Sequence, residues 1–186
     1  MSRLWCSAWL LLSLGSGAAA QTPIGLGQPL ATETLQRYAI TVFPDGRNLP
    51  PGTGSVDTGS GLYANRCAGC HGAKGREGPA ARLVGSDGFL SLDDPLRILR
   101  IRDQPLLLLS VGGLWPYATT IFDYTRRAMP HHSPKSLSND QVYALTAYIL
   151  YLNGVLEETA VLGRESLPRV EMPGRARLRW AEQVAE

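Results

Sequence analysis

The sequence predicts an all-α domain, and three observations carry that expectation. Val142, Leu145, Ile149 and Leu152 recur at helical spacing within Ser138–Asn153, with Ser138 and Gln141 placed for a capping box and Gly154 for a C-cap. A second helical stretch, Asp57 to Arg66, runs without a break into Cys67-Ala68-Gly69-Cys70-His71. The connections carry many of the 20 glycines and 13 prolines among 186 residues, a composition that suits loops wrapped around a small core.

Taken in order, residues 1–20 read as a secretory leader. Arg3 supplies the positive start, Leu4 to Leu14 the apolar run, and Ala18-Ala19-Ala20 the small-residue cleavage site before Gln21. The apolar run is too short for a membrane-spanning helix, and no later stretch is long enough, so no transmembrane anchor is expected. Export places the mature chain in the periplasm. Residues 21–56 form an extended, proline-punctuated arm. Within it, Thr32–Arg37 suits a short helix, and Tyr38, Ile40 and Val42 alternate as an extended piece would.

The main domain is expected over 57–154. Asp57 or Thr58 caps its first helix, and Gly59, Leu62 and Tyr63 share one face. A glycine on that face lets another helix approach closely, and Ala144 and Tyr148 on the last helix are suited to cross there. Leu83 to Gly113 is hard to read. Leu96, Ile98, Leu99 and Ile101 suggest a short amphipathic helix broken by Pro105, packing its leucines on the core or serving as a docking surface. Thr119 to Ala128 makes a further helix with Ile121, Phe122 and Tyr124 as its apolar side, ending at Met129-Pro130. Residues 155–186 show no sustained pattern and read as a C-terminal tail.

The chemistry sits at Cys67-x-x-Cys70-His71. Two cysteines three apart can each add to one vinyl group of a porphyrin, and the next histidine can offer a ring nitrogen to the iron, which is the attachment pattern of haem c. A zinc site would need more ligands, and the third cysteine, Cys6, lies in the leader. Cleavage of that leader would leave only Cys67 and Cys70, so one covalent haem is expected and no structural disulfide. A second axial ligand must come from elsewhere. Soft thioether sulfur is common in that position, and of three methionines Met1 leaves with the leader. Met129 is the favoured ligand, with Met172, His131 and His132 as alternatives; otherwise the histidines are a solvated pair. Trp115 and Tyr117, each an apolar body with one polar hydrogen, are candidates to cover the haem and donate to a propionate, with Arg126 or Arg127 adding a charged contact. A formal net charge of +2, with basic residues spread along the chain, argues against a nucleic-acid binder.

These residues resemble a known family. Gly59 and Tyr63 ahead of the Cys67–His71 motif, then Pro79, Met129 and a last helix with Tyr148, look like a class I c-type cytochrome. A narrower resemblance rests on Phe43-Pro44-Asp45-Gly46, Leu49-Pro50-Pro51-Gly52, the run from Trp115 to Tyr124, Arg126-Arg127-Ala128-Met129-Pro130, and Asn139 to Tyr148. Those stretches are similar to SoxD-type cytochrome subunits of bacterial sulfite or sulfane dehydrogenases. The resemblance implies the class I cytochrome c fold and a Pro79 carbonyl that accepts a hydrogen bond from His71. It also implies Met129 carried over the haem by the loop before the last helix. The chain departs from several SoxD proteins in carrying one haem motif. The implied role is electron transfer rather than catalysis, beside a molybdopterin subunit of the sulfite oxidase type, with a downstream cytochrome c or oxidase as acceptor. Two other readings remain at this point: a free shuttle for an unrelated dehydrogenase or oxidase, and a haem sensor or enzyme with a displaceable distal ligand.

Overall fold

Helix caps and a few side-chain tethers set the architecture. A computed structural model describes residues 27–85, 99, 102 and 110–175, and the chain divides into two units, Met1–Tyr38 and Ala39–Glu186. The leader and most of the leucine-rich Leu96–Leu109 stretch lie outside the described residues. In the first unit, helix α1 spans Thr32–Tyr38, one residue beyond the span the sequence suggests. Leu35 and Tyr38 are exposed on it, so Tyr38 belongs to a helix and not to an extended run.

The second unit opens with a segment that has neither helix nor strand but is tethered throughout. The Val42 amide donates to Asp123 Oδ1 at 3.1 Å, Leu49 is buried, and the Tyr143 hydroxyl donates to the Pro50 carbonyl at 2.8 Å. Strand β1 (Thr53–Ser55) follows and pairs antiparallel with β2 (Val161–Gly163), Gly54 opposite Leu162. Three residues are too few to establish a two-residue period, so neither strand is visible in the sequence. Helix α2 (Val56–Arg66) starts one residue before the predicted span. Its cap is Ser55, whose Oγ accepts from the Thr58 amide at 3.1 Å; Asp57 lies inside the first turn. The one-turn helix α3 (Ala68–His71) continues from α2, with Cys67 at the junction.

Helix α4 (Val111–Leu114) is capped by Ser110, whose own hydroxyl donates to the Gly85 carbonyl at 3.0 Å. Helix α5 (Ala118–Ala128) buries Ile121, Phe122 and Thr125. Tyr124, assigned to its apolar side from the sequence, is 48% exposed. Helix α6 (Asn139–Leu152) carries the predicted capping box complete, with the Gln141 amide donating to Ser138 Oγ at 3.2 Å and the Ser138 amide donating to Gln141 Oε1 at 3.0 Å. It ends at Leu152 with Asn153 as its cap, and Gly154 follows with a φ of +68°, a conformation that favours glycine.

Helix α6 is buried almost all round, because α2, α5 and the β-pair each claim a side. At the α2–α6 crossing Gly59 lies against the Ala144 carbonyl, and the Tyr63 and Tyr148 rings meet at a tilt of 54°, their centroids 5.2 Å apart. The segment after α6 is integral to this core rather than a loose tail. β2 pairs with β1, Leu167 of the 3-10 turn Leu167–Arg169 is fully buried, Met172 is 3% exposed, and Glu171 bridges to Tyr117. Scattered single apolar anchors achieve this without periodicity, which is why the sequence pattern missed it. Among the described residues no helix is long and apolar enough to cross a membrane.

Candidate functional site

The end of α2 delivers Arg66 and Cys67, and α3 turns so that the His71 amide bonds to the Cys67 carbonyl at 2.9 Å. The two cysteines and His71 thereby border one cavity of about 410 Å³. Leu145 and Ile149 of α6, Ile121, Tyr124 and Thr125 of α5, and Val111 of α4 form much of its wall. The loop Ala80–Leu83, Trp115 and the run Met129–His132 complete it. The volume is in the range of small-molecule sites, and the lining is mostly apolar.

The His71 ring is held by its neighbour in space. Nδ1 lies 2.8 Å from the Ala81 carbonyl. A carbonyl only accepts, so Nδ1 carries the proton and Nε2 keeps its lone pair. The accepting carbonyl is not that of Pro79, which is exposed and does not border the cavity. The loop folds tightly around the Cys70 carbonyl, which accepts from the Ala80 amide at 2.9 Å and packs against Gly78. The chain therefore reaches His71 two residues beyond the proline. Glu77 braces the same loop by accepting from the Lys74 and Arg76 amides at 3.1 and 3.3 Å. Burial works to raise its carboxyl, but these amide bonds outweigh it and hold the group below its usual range. The Tyr63 hydroxyl, pushed upward by burial, donates to the Gly72 carbonyl at 2.9 Å. Burial pushes the Cys67 thiol up to about 11 against the pull of Arg66, while Cys70 is exposed.

The structure gathers some predicted residues and separates others. Cys67, Cys70, His71, Met129 and Trp115 all border the cavity, and Trp115 meets Tyr124 edge-on at 5.6 Å. Tyr117 does not border it; the Arg175 guanidinium lies over its ring at 5.4 Å. Arg126 and Arg127 do not border it either, and Arg127 pairs with Asp123 one turn back on α5. Among the described residues the cations on the wall are instead Arg66 and Arg82, His131 and His132 line it as well, and no aspartate or glutamate does. Arg66 was legible by adjacency, since it directly precedes Cys67 on the same helix; Arg82 follows a loop with no readable geometry. Met172 packs in the core, away from the cavity.

Residues 54–149 match the family model described as cytochrome C oxidase, cbb3-type, subunit III. The match spans the Cys67–His71 motif, Met129 and most of α6. Among solved structures, a chain of the sulfane dehydrogenase SoxCD from Paracoccus pantotrophus is 37% identical, with a TM-score of 0.68 over 84% of this chain and 71% of that one. No curated protein matches. With more than half its length inside the family model and the same backbone fold as a SoxCD chain, this chain belongs to the cytochrome c family, has the class I fold, and works in electron transfer.

Proposed function

We propose that the chain is an exported electron carrier holding one haem c, bound through Cys67 and Cys70 with His71 and Met129 as axial ligands. It serves as the cytochrome subunit, or the immediate acceptor, of a molybdenum-dependent dehydrogenase of sulfite or a related sulfur compound. The observation that carries this reading is the cavity itself. One apolar chamber is bordered by both cysteines, by a histidine whose Nδ1 proton is held by a carbonyl, and by a methionine from the end of α5.

The residues present fit the group. A flat, largely apolar macrocycle needs apolar walls, which Leu83, Val111, Ile121, Leu145 and Ile149 supply. Bound haem supplies a one-electron ferric/ferrous couple. The chain's part is to orient that couple and keep water from it. The Ala81 carbonyl fixes the His71 ring and strengthens it as a donor. The Met129 thioether, a soft ligand, would favour the ferrous state. His71 and Met129 would together hold the iron through side chains and leave small molecules no open site, which would favour outer-sphere transfer. The exposed Cys70 and Tyr124 bring the cavity's rim to the surface, where a partner can approach. The likeness to SoxCD supports a sulfur-oxidising partner and, with the leader, a periplasmic setting.

The haem of the purified protein should stay with the polypeptide in acidified organic solvent, and the oxidised protein should show a methionine–iron charge-transfer band. Met129→Leu should abolish that band and lower the potential, whereas Met172→Leu should leave both unchanged. The reverse pattern would move the ligand to the C-terminal segment. Co-purification with a molybdopterin subunit is expected for a dehydrogenase subunit; isolation of the cytochrome alone under gentle conditions would make it a free shuttle.

A further inference from the structure

Four consecutive residues, Met129 to His132, border the cavity. Under the assignment above the first is the axial ligand, and nothing in that role explains the two histidines beside it. His131 and His132 are exposed, and neither takes part in a hydrogen bond or ion pair among the described residues. Resting on the Met129 reading, we infer that they are a reserve nitrogen ligand, one of which closes the iron when the thioether is absent.

The chemistry of the wall narrows the choice. Apart from His71, the lining residues able to offer a nitrogen lone pair are these two. Arg66 and Arg82 have none to give, and both cysteine sulfurs are consumed by attachment. Imidazole is a common axial ligand of haem iron. The backbone can deliver it. Helix α5 ends at Ala128 and α6 begins at Asn139, so the histidines sit in a connection with neither helix nor strand. Its tie near the histidines is the Ser133 amide on the Pro130 carbonyl at 2.9 Å. Neighbouring Cα atoms across the Pro130–His131 peptide lie about 3.8 Å apart, so a shift of one or two residues' length carries an imidazole toward the place of Met129. Among the described residues neither imidazole has a hydrogen-bond or ion-pair partner to give up in the exchange. Its function is to keep the iron six-coordinate, so that a molecule that has lost its thioether remains an electron carrier and does not become an open haem that traps small ligands.

The test compares Met129→Leu with Met129→Leu/His131→Ala/His132→Ala as holoproteins, by electron paramagnetic resonance of the oxidised form and carbon monoxide titration of the reduced form. The single variant should lose the methionine band yet stay low-spin with a bis-imidazole signature. The triple variant should be high-spin. If the histidine-bound form holds about nine-tenths of the single variant, its apparent carbon monoxide affinity is about tenfold weaker than that of the triple. A single variant that is high-spin and binds carbon monoxide as tightly as the triple overturns the inference and leaves the Met129 assignment standing. A wild-type protein without the methionine band overturns both. Met129→Ala, with the same histidine pair removed in its partner variant, repeats the comparison if the leucine variant fails to mature.

Discussion

At the scale of single residues, the site divides into side chains that announce themselves and a backbone atom that does not. Cys67, Cys70 and His71 were legible because five consecutive residues fix their mutual geometry. The Ala81 carbonyl that orients His71 was not, because a main-chain oxygen has no sequence signature and its place depends on how the loop turns around Cys70. Glu77 is part of that turn, and its titration gives a prediction. Its carboxyl is held below its unfolded value, so it contributes stability that is present above the usual glutamate pKa of about 4.3 and is lost as pH falls through the lower folded value. The melting temperature of the holoprotein should therefore drop in this acid window. Glu77→Gln, which can still accept the Lys74 and Arg76 amides but does not titrate, should flatten that drop. Identical acid limbs in the two proteins would show that the carboxylate is irrelevant to the loop. The cysteines give a second expectation. Cys67→Ala or Cys70→Ala should leave at most one thioether link and sharply reduce the yield of mature holoprotein, read from haem-stained gels.

At the scale of elements, the α2–α6 crossing carries the fold, and glycines in α2 divide by the face they occupy. Gly59 lies against the Ala144 backbone carbonyl, an atom no rotamer change can move, while a Cβ on Gly61 meets nothing within 4 Å. Gly59→Ala must push the helices apart or bend one of them, at a cost of about 2 kcal/mol or more, by the general cost of overpacking. Gly61→Ala should do the opposite and stabilise by up to about 1 kcal/mol through helix propensity alone. Denaturant midpoints of the two variants, measured side by side, check the assignment, and a destabilising Gly61→Ala or a neutral Gly59→Ala would contradict it. Helix α6 and its capping box were readable because 14 residues hold several repeats of one pattern. The β-pair and the packed segment after α6 were not, since three-residue strands and isolated anchors such as Leu167 and Met172 leave no period to detect. The α5 assignment went half right for a related reason. Tyr124 falls on the expected stripe, but that stretch of wall opens onto the cavity rim, so the ring stays exposed against Trp115.

At the scale of the whole molecule, the question is how a carrier of modest net charge, +2, finds its partner. Charge placement answers it better than charge total. The propionate-binding role the sequence suggested for Arg126 and Arg127 finds no support in their positions, since neither borders the cavity and Arg127 is paired with Asp123. Among the described residues Arg66 and Arg82 do border it, and no carboxylate does. In a haem attached through Cys67 the propionates would lie on the edge opposite the vinyl groups, so Arg66, beside Cys67, would be left to meet an incoming partner rather than the haem's own acids. Steering by such charges is a low-salt effect, screened beyond about 8 Å at physiological ionic strength. Oxidation of the ferrous protein by hexacyanoferrate(III), an anionic probe, should slow as salt is added. Arg66→Gln should reduce both the low-salt rate and its salt slope while leaving the reduction potential unchanged. Arg164→Gln supplies the control: it removes the same charge from an exposed position away from the cavity lining. If Arg164→Gln slows the reaction as much as Arg66→Gln, net charge and not the rim does the steering. If Arg66→Gln shifts the potential, its guanidinium acts on the haem itself and the docking face must be sought elsewhere on the domain.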